Sequence, residues 1–253
     1  MKNIAETIIN PFFIFNGRSS KEFEIRVLSM PEVYKAEKRV DTVKVAGRNG
    51  VLHIDDESYE PVSKVCSCAI RDKKYIDEIC AWLNGSGEVI FSTEPTKVYR
   101  AFVNNQISIS QMMNVFQKFQ VTFEAEPFKY NVNAEDDLIV INTENNIAEK
   151  SLYNIGTIYS EPIIKLSGNF SGSDNIVITI NNKKYTIKNL STETVINCET
   201  MEVYDENGNK NSDFIPADLS LFPCFEVGKN ELNFLFSGTG EKKIEIVPQW
   251  RWL

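Results

Sequence analysis

The chain has 253 residues, 42% of them hydrophobic and 25% charged, which excludes a disordered chain and suits one large or two small domains. No apolar run approaches the roughly 18–20 residues that span a bilayer, and Met1-Lys2-Asn3-Ile4-Ala5-Glu6 is too polar to open a secretory signal, so a soluble protein made in a cytoplasm, without membrane insertion, is expected. Residues 1–130 hold 17 basic and 17 acidic side chains and residues 131–253 hold 10 and 18, so the whole formal charge of −8 lies in the second half, which argues against that half clamping a nucleic-acid backbone.

Phe12-Phe13-Ile14-Phe15 and Glu22–Leu28 read as strands around the turn pair Asn16-Gly17. From Lys35 to Leu52, Val40, Thr42, Val43 and Val45 alternate among charges and break at Gly47-Arg48-Asn49-Gly50. With no wide apolar face of its own, this stretch is expected to project as an extended hairpin. Val62–Ile70 is a further strand. Helical periodicity is convincing only over Lys73–Leu83, where Ile76, Ile79, Cys80 and Leu83 form one apolar stripe, with Asp72 to cap it and Gly85 to end it. Glu88–Ser92, Tyr99–Val103, Ile107–Ile109 and Phe119–Phe123 complete a sheet with the helix on one face. Residues 1–130 are therefore expected to form an α+β domain with a projecting arm at about 35–52.

The boundary falls at Glu126-Pro127-Phe128-Lys129-Tyr130-Asn131, where a β-rich run ending at Ala125 meets proline; Asn133–Lys150 follows as a polar linker carrying Glu135-Asp136-Asp137. Asparagine rises from 8 residues before position 131 to 17 from there onward, which predicts tight turns between short strands. Seven alternating runs fit: Ile163–Ser167, Asn175–Ile180, Lys184–Ile187, Thr194–Asn197, Met201–Tyr204, Glu231–Phe236 and Glu241–Pro248. Turn clusters at Gly172-Ser173-Asp174, Asn181-Asn182, Asn207-Gly208-Asn209 and Gly238-Thr239-Gly240 separate them. Residues 131–253 read as a β-sandwich, and the fold class as mainly β.

The chemistry-bearing residues do not converge on a catalytic set. The five cysteines, Cys66, Cys68, Cys80, Cys198 and Cys224, fit a reducing compartment. Cys66 and Cys68 share one strand face but lack further metal ligands, and read as small buried hydrophobes. His53, the single histidine, lies in the strand-like Val51-Leu52-His53-Ile54-Asp55 and reads as a surface residue rather than a general base. Asp55-Asp56-Glu57 and Glu135-Asp136-Asp137 sit where turns are expected and lack the spacing of a calcium loop. Gly85-Ser86-Gly87 and Gly238-Thr239-Gly240 are too short to cradle phosphate. No enzyme, metal or cofactor is expected. Trp250 and Trp252 at the end of the sequence admit two readings, exposed rings that stack on sugars or buried rings that close the sandwich core. Their alternation with Ile244 and Ile246 favours burial.

Several stretches, in order along nearly the whole sequence, resemble the siphophage distal tail proteins. They are Gly47-Arg48-Asn49-Gly50-Val51-Leu52, Trp82-Leu83-Asn84-Gly85-Ser86-Gly87 and Val121–Phe128 in the first half. In the second they are Asn154-Ile155-Gly156-Thr157-Ile158-Tyr159-Ser160-Glu161-Pro162-Ile163, Cys198–Asp205, Val227-Gly228-Lys229-Asn230 and Pro248-Gln249-Trp250-Arg251-Trp252. The resemblance implies a virion protein of the tail tip: a homohexameric ring between the tail tube protein and the tip hub. It also implies a belt-like arm reaching the next subunit and an outer galectin-like sandwich that in some members docks receptor-binding proteins. DNA would pass through such a ring without specific binding. The arm residues so marked are Val40, Val43, Val45, Gly47, Arg48, Asn49, Gly50 and Leu52. The rival reading is a carbohydrate-binding adhesion module that recognises host cell-wall glycans through Trp250 and Trp252. A glycan-cleaving tail enzyme, with two carboxylates flanking a cleft, is a third.

Overall fold

The computed structural model describes residues 10–71, 73–107, 110–112, 116–216 and 222–253. The expected signal-free start at Met1–Glu6 and the capping role of Asp72 lie outside them. The protein is mainly β and divides into two compact units, Met1–Val132 together with Leu253, and Asn133–Trp252.

The first unit begins with β1 (Phe13–Phe15) and β2 (Arg18–Ser19). Asn16 and Gly17 join them as a two-residue turn with φ of 48° and 76°, the doubly left-handed geometry that matches strand twist. The strand expected to start at Glu22 is instead a single 3-10 turn, Ser20–Phe23. Ser19 and Glu22 hold it with a reciprocal capping box, and Glu24 leaves it in the left-handed region. Then come β3 (Arg26–Ser29), β4 (Lys38–Val43), β5 (Leu52–Tyr59), β6 (Val62–Ile70) and α1 (Ile76–Trp82), followed by β7 (Gly85–Phe91), β8 (Lys97–Val103), β9 (Ser110–Met112) and β10 (Phe116–Asn131). The strand expected over Ile107–Ile109 falls partly outside the described residues, while Ile107 packs against the core. β10 runs straight through Pro127, where a boundary was expected, after a register shift against β8 between Ala125 and Lys129 that accommodates the missing donor.

The main sheet has the order β2-β1-β7-β8-β10-β6-β3. Its inward residues, among them Phe13, Phe15, Cys66, Cys68, Phe91, Val121 and Phe123, form one core with α1. Phe123 sits at the centre, edge-on to Phe13 and Phe91 at 5.3 and 5.7 Å. From α1 the core takes Ile79, Trp82 and Leu83, whereas Cys80, expected in the stripe, is exposed. Trp82 turns the helix this way: its indole donates to the Phe15 carbonyl at 2.9 Å and stacks on Phe13 and Phe23. Gly87 completes the clamp. A Cβ there would stand 1.8 Å from the Asn16 side chain, which accepts from the Glu88 N–H and donates to the Ser86 carbonyl.

The second unit contains β11 (Ile139–Thr143), β12 (Ile147–Asn154), β13 (Ile163–Gly168), β14 (Ile176–Ile180), β15 (Lys183–Ile187), β16 (Glu193–Asn197), β17 (Glu202–Asp205), β18 (Phe214–Ile215), β19 (Gly228–Phe236) and β20 (Lys242–Val247). They form two five-stranded sheets, β11-β20-β13-β16-β17 and β12-β19-β14-β15-β18, whose inner faces share one aliphatic core. The expected polar linker at Asn133–Lys150 is thus a correction: it holds β11 and the start of β12, the edge strands of the two sheets. Each buries one face only, through Ile139 and Ile141 or through Ala148 and Leu152. Their solvent faces of Asn, Glu and Lys gave the segment its polar composition.

Candidate assembly interface

β4 and β5 pair with each other and with no other strand among the described residues. Every residue of β4 is exposed, as are the first six of β5. The register Val43↔Leu52, Thr42↔His53, Asp41↔Ile54 and Val40↔Asp55 assigns the faces. One face carries Val43, Leu52 and Ile54 around Asp41; the other carries Val40, Thr42, His53 and Asp55. The tip, residues 44–51, holds Val45, Gly47, Arg48, Asn49, Gly50 and Val51, closed by an Arg48 N–H to Val45 carbonyl bond of 3.2 Å. Aliphatic residues are thus displayed on both faces and at the tip, with no layer over them among the described residues.

The arm is longer than the 35–52 segment marked from sequence, because its returning strand continues to Tyr59. The signal was present in the alternation Leu52, Ile54, which Asp55-Asp56-Glu57 obscured. That acidic run lies within β5 rather than in a turn. Glu57 has a φ of 63°, and the pairing jumps from Lys38↔Tyr59 to Val40↔Asp55, a bulge that re-aims the strand. Asp55 bonds the Lys38 ammonium and accepts from the Glu57 N–H, which together hold its carboxyl below the ordinary range. Glu60 is likewise lowered by its hydrogen bond from Arg39 at 2.8 Å.

The root of the arm is fixed where its blade is free. Glu60 N–H donates to the Glu37 carbonyl at 2.8 Å, and Tyr59 meets Phe128 edge-on at 5.5 Å. Lys64, buried beneath the incoming segment, donates to the Glu32 carbonyl at 3.1 Å and lies over the Tyr99 ring at 4.8 Å. Burial pushes its pKa down. Glu94 accepts from the Tyr99 hydroxyl and from the Lys129 ammonium, both at 2.6 Å. Burial raises the Glu94 carboxyl, but these two bonds outweigh it and leave the group below its ordinary value.

Residues 7–125, which include the whole arm, match the family model of the phage tail protein RIFT-related domain. That match runs through almost the whole of the first unit. The fold is also that of SPP1 Dit (gp 19.1), described as a paradigm of the hub adsorption apparatus in phages infecting Gram-positive bacteria. The TM-score is 0.71 at 14% identity, covering 96% of this protein and 99% of that one. A component of the phage p2 baseplate, in its activated conformation with Sr, aligns at a TM-score of 0.43 and 9% identity over 92% of this protein and 97% of that one. That likeness is too weak to carry an argument. No curated protein matches the sequence. The resemblance to siphophage distal tail proteins is borne out in the domain family and in the fold.

The remaining marked residues take structural places. Trp250, 6% exposed, lies in the sandwich core against Phe225 at 6.0 Å, and Trp252 packs half-buried on the same core. The sugar-stacking reading of Trp250 is corrected accordingly, since its faces are covered by protein. Between the two, Arg251 donates to the Tyr159 carbonyl at 3.0 Å and to Glu161 at 2.9 Å, and Asn154 donates to the Ile158 and Phe225 carbonyls. The family-like motifs at Asn154–Ile163 and Pro248–Trp252 therefore meet in space and lock each other. Cys66 and Cys68 are buried, which pushes both thiols up, Cys68 to about 12. His53 stands exposed on the arm. Among the described residues no cluster of three or more His, Cys, Asp or Glu is placed to hold a metal, and no helix is long and apolar enough to cross a membrane.

Proposed function

We propose that this phage tail protein closes into a hexameric ring at the virion tail tip, between the tail tube protein and the tip hub. The β4–β5 arm of each copy lies against the next, and the galectin-like second unit faces outward, where it anchors host-binding proteins. DNA passes through the ring without specific binding. The observation that carries this reading is the arm: an extended hairpin with a fixed root and aliphatic side chains on both faces, set in a phage tail domain. An isolated two-stranded hairpin is marginally stable in water, so this one gains order by pairing with or packing on a neighbour. Full burial of a Val, Leu or Ile side chain is worth about 1.5–3 kcal/mol, so covering half-exposed Val43, Leu52 and Ile54 favours association by several kcal/mol together. Contacts of one patch on a different patch of the next copy are head-to-tail, and close into a ring when the rotation permits.

The test is the solution mass by light scattering of the intact protein and of a variant with Lys38–Tyr59 replaced by a short glycine-rich turn. A hexamer that falls to monomer on deletion is expected. A monomer in both proteins, persisting when tail tube protein is added, would overturn the ring.

A further inference from the structure

An asparagine followed by glycine is prone to spontaneous deamidation, because glycine lacks the side chain that would hinder its backbone nitrogen from reaching the asparagine amide carbon. The sequence has four such pairs: Asn16-Gly17, Asn49-Gly50, Asn84-Gly85 and Asn207-Gly208. The fold restrains three of them. The Asn16 amide is held at both ends, accepting from the Glu88 N–H at 3.1 Å and donating to the Ser86 carbonyl at 3.3 Å. The attacking nitrogen of Gly208 is engaged with the Asp205 carbonyl at 3.0 Å, and the Asn207 N–H donates to the Asp205 carboxylate at 2.9 Å. Gly85 is fixed in the β7–β8 ladder opposite Val103. Asn49 and Gly50 differ on each count. Both are exposed at the arm tip, outside any strand, and neither bonds to a described residue.

We infer that Asn49-Gly50 is a self-modification site, the one place where this fold leaves both reacting groups of an Asn-Gly pair free. The Gly50 backbone nitrogen attacks Cγ of Asn49 and forms the ring C–N bond. The bond from Cγ to the amide nitrogen of Asn49 breaks, and ammonia departs with the proton released by the Gly50 nitrogen. Water then opens the succinimide at either carbonyl, giving aspartate or isoaspartate. Each product places a negative charge beside Arg48. The isoaspartate also adds a methylene to the backbone of the tip. Where the arm is covered by a neighbouring copy, a consequence that rests on the proposed ring, the reaction stops, so modified Asn49 marks copies that have not assembled.

The experiment incubates the full-length unassembled protein in mildly alkaline buffer and follows all four pairs by proteolysis and mass spectrometry. Restraint by one or two hydrogen bonds corresponds to about a ten-fold suppression. The mass gain is therefore expected on Asn49 about ten-fold faster than on Asn16, Asn84 or Asn207, with isoaspartate among the products, and absent in Asn49→Gln. In denaturant the four pairs should react at similar rates. Equal rates in the folded protein, or the same preference for Asn49 in denaturant, would overturn the inference. Assembled tails supply the separate check on the ring: an Asn49 that reacts there as fast as in the free protein would leave the modification site standing and remove the arm tip from the interface.

Discussion

In the hairpin β14–β15, Ile176, Ile178 and Ile180 alternate with half-buried partners and disappear into the core. In the hairpin β4–β5, Val40, Val43, Leu52 and Ile54 stay open to solvent. Both pairs are antiparallel and both carry β-branched residues at alternate positions. They differ in what surrounds them. β14 is bonded on both edges, to β15 and β19, and faces a second sheet, whereas among the described residues β4 and β5 have only each other. The turns differ as well: Asn181-Asn182, with φ of 48° and 71°, closes β14–β15 directly, while eight residues, 44–51, separate the strands of the arm. Alternation thus makes a strand, but a second layer makes a core. A strand with no second layer among the described residues is the kind of surface that the proposed ring would cover.

Truncation should separate the two hairpins most sharply. Ile178→Ala removes a fully buried side chain and is expected to lower stability by about 2–5 kcal/mol in urea denaturation. A loss under about 1 kcal/mol would mean that this core relaxes around the cavity and that the contrast with the arm is overstated. The second unit offers a further test at Gly156, where an added Cβ would stand 2.2 Å from the Arg251 backbone carbonyl. Backbone does not swing aside as a flexible side chain does, so Gly156→Ala should cost about 1–3 kcal/mol. Gly87→Ala, which meets only the Asn16 side chain, should cost less. The reverse order in thermal midpoints would show that the Asn154–Ile163 and Trp250-Arg251-Trp252 segments are not locked as the hydrogen bonds indicate.

The same contrast explains what the sequence made legible. Where a strand has one wet and one dry face, period-two alternation marks it, and Val62–Ile70 coincides with β6 residue for residue. Two-residue turns of Asn with Gly or Asn were equally readable because their chemistry is local. β11 and β12 were missed because an edge strand buries few side chains, and the polar turn Glu144-Asn145-Asn146 between them hides their alternation. Glu22–Phe23 was misread because a capping box competes with strand formation within four residues. The apolar character of the arm was visible in Val40, Val43 and Val45, but its end at Tyr59 was not. Asp55-Asp56-Glu57 looks like a turn until Lys38 and the bulge at Glu57 are set beside it. Trp82 as the anchor of the first hairpin was beyond reach, since its partner Phe15 is remote in sequence.

Acid should loosen the root of the arm. Glu94 is held below its ordinary value of 4.5, so the stability it contributes is present above that value and is lost as pH falls through the lower folded value. In Glu94→Gln this part is gone at every pH. The gap between the two denaturation midpoints should therefore be widest near neutrality and close on acidification below pH 4.5. Partial exposure and solvent screening make this effect smaller than that of Ile178→Ala. A gap that does not change with pH would assign the cost of Glu94→Gln to lost hydrogen-bond geometry rather than to charge.

The smallest effect on stability is expected where the most exposed aliphatic side chain of the arm is removed. Ile54 is 49% exposed in the single protomer, so Ile54→Ala should shift the urea midpoint by no more than about 0.5 kcal/mol, as for a surface position. Folding and association then come apart. If the arm is covered in the assembled protein, the same substitution weakens association by about 1 kcal/mol per interface, and a ring multiplies that loss by its number of interfaces. The mass distribution of Ile54→Ala should therefore move toward monomer at concentrations where the unaltered protein remains assembled, while its thermal unfolding as a monomer stays unchanged. A large loss of monomer stability would show instead that the hairpin folds back on its own protomer, and the difference between β4–β5 and β14–β15 would vanish.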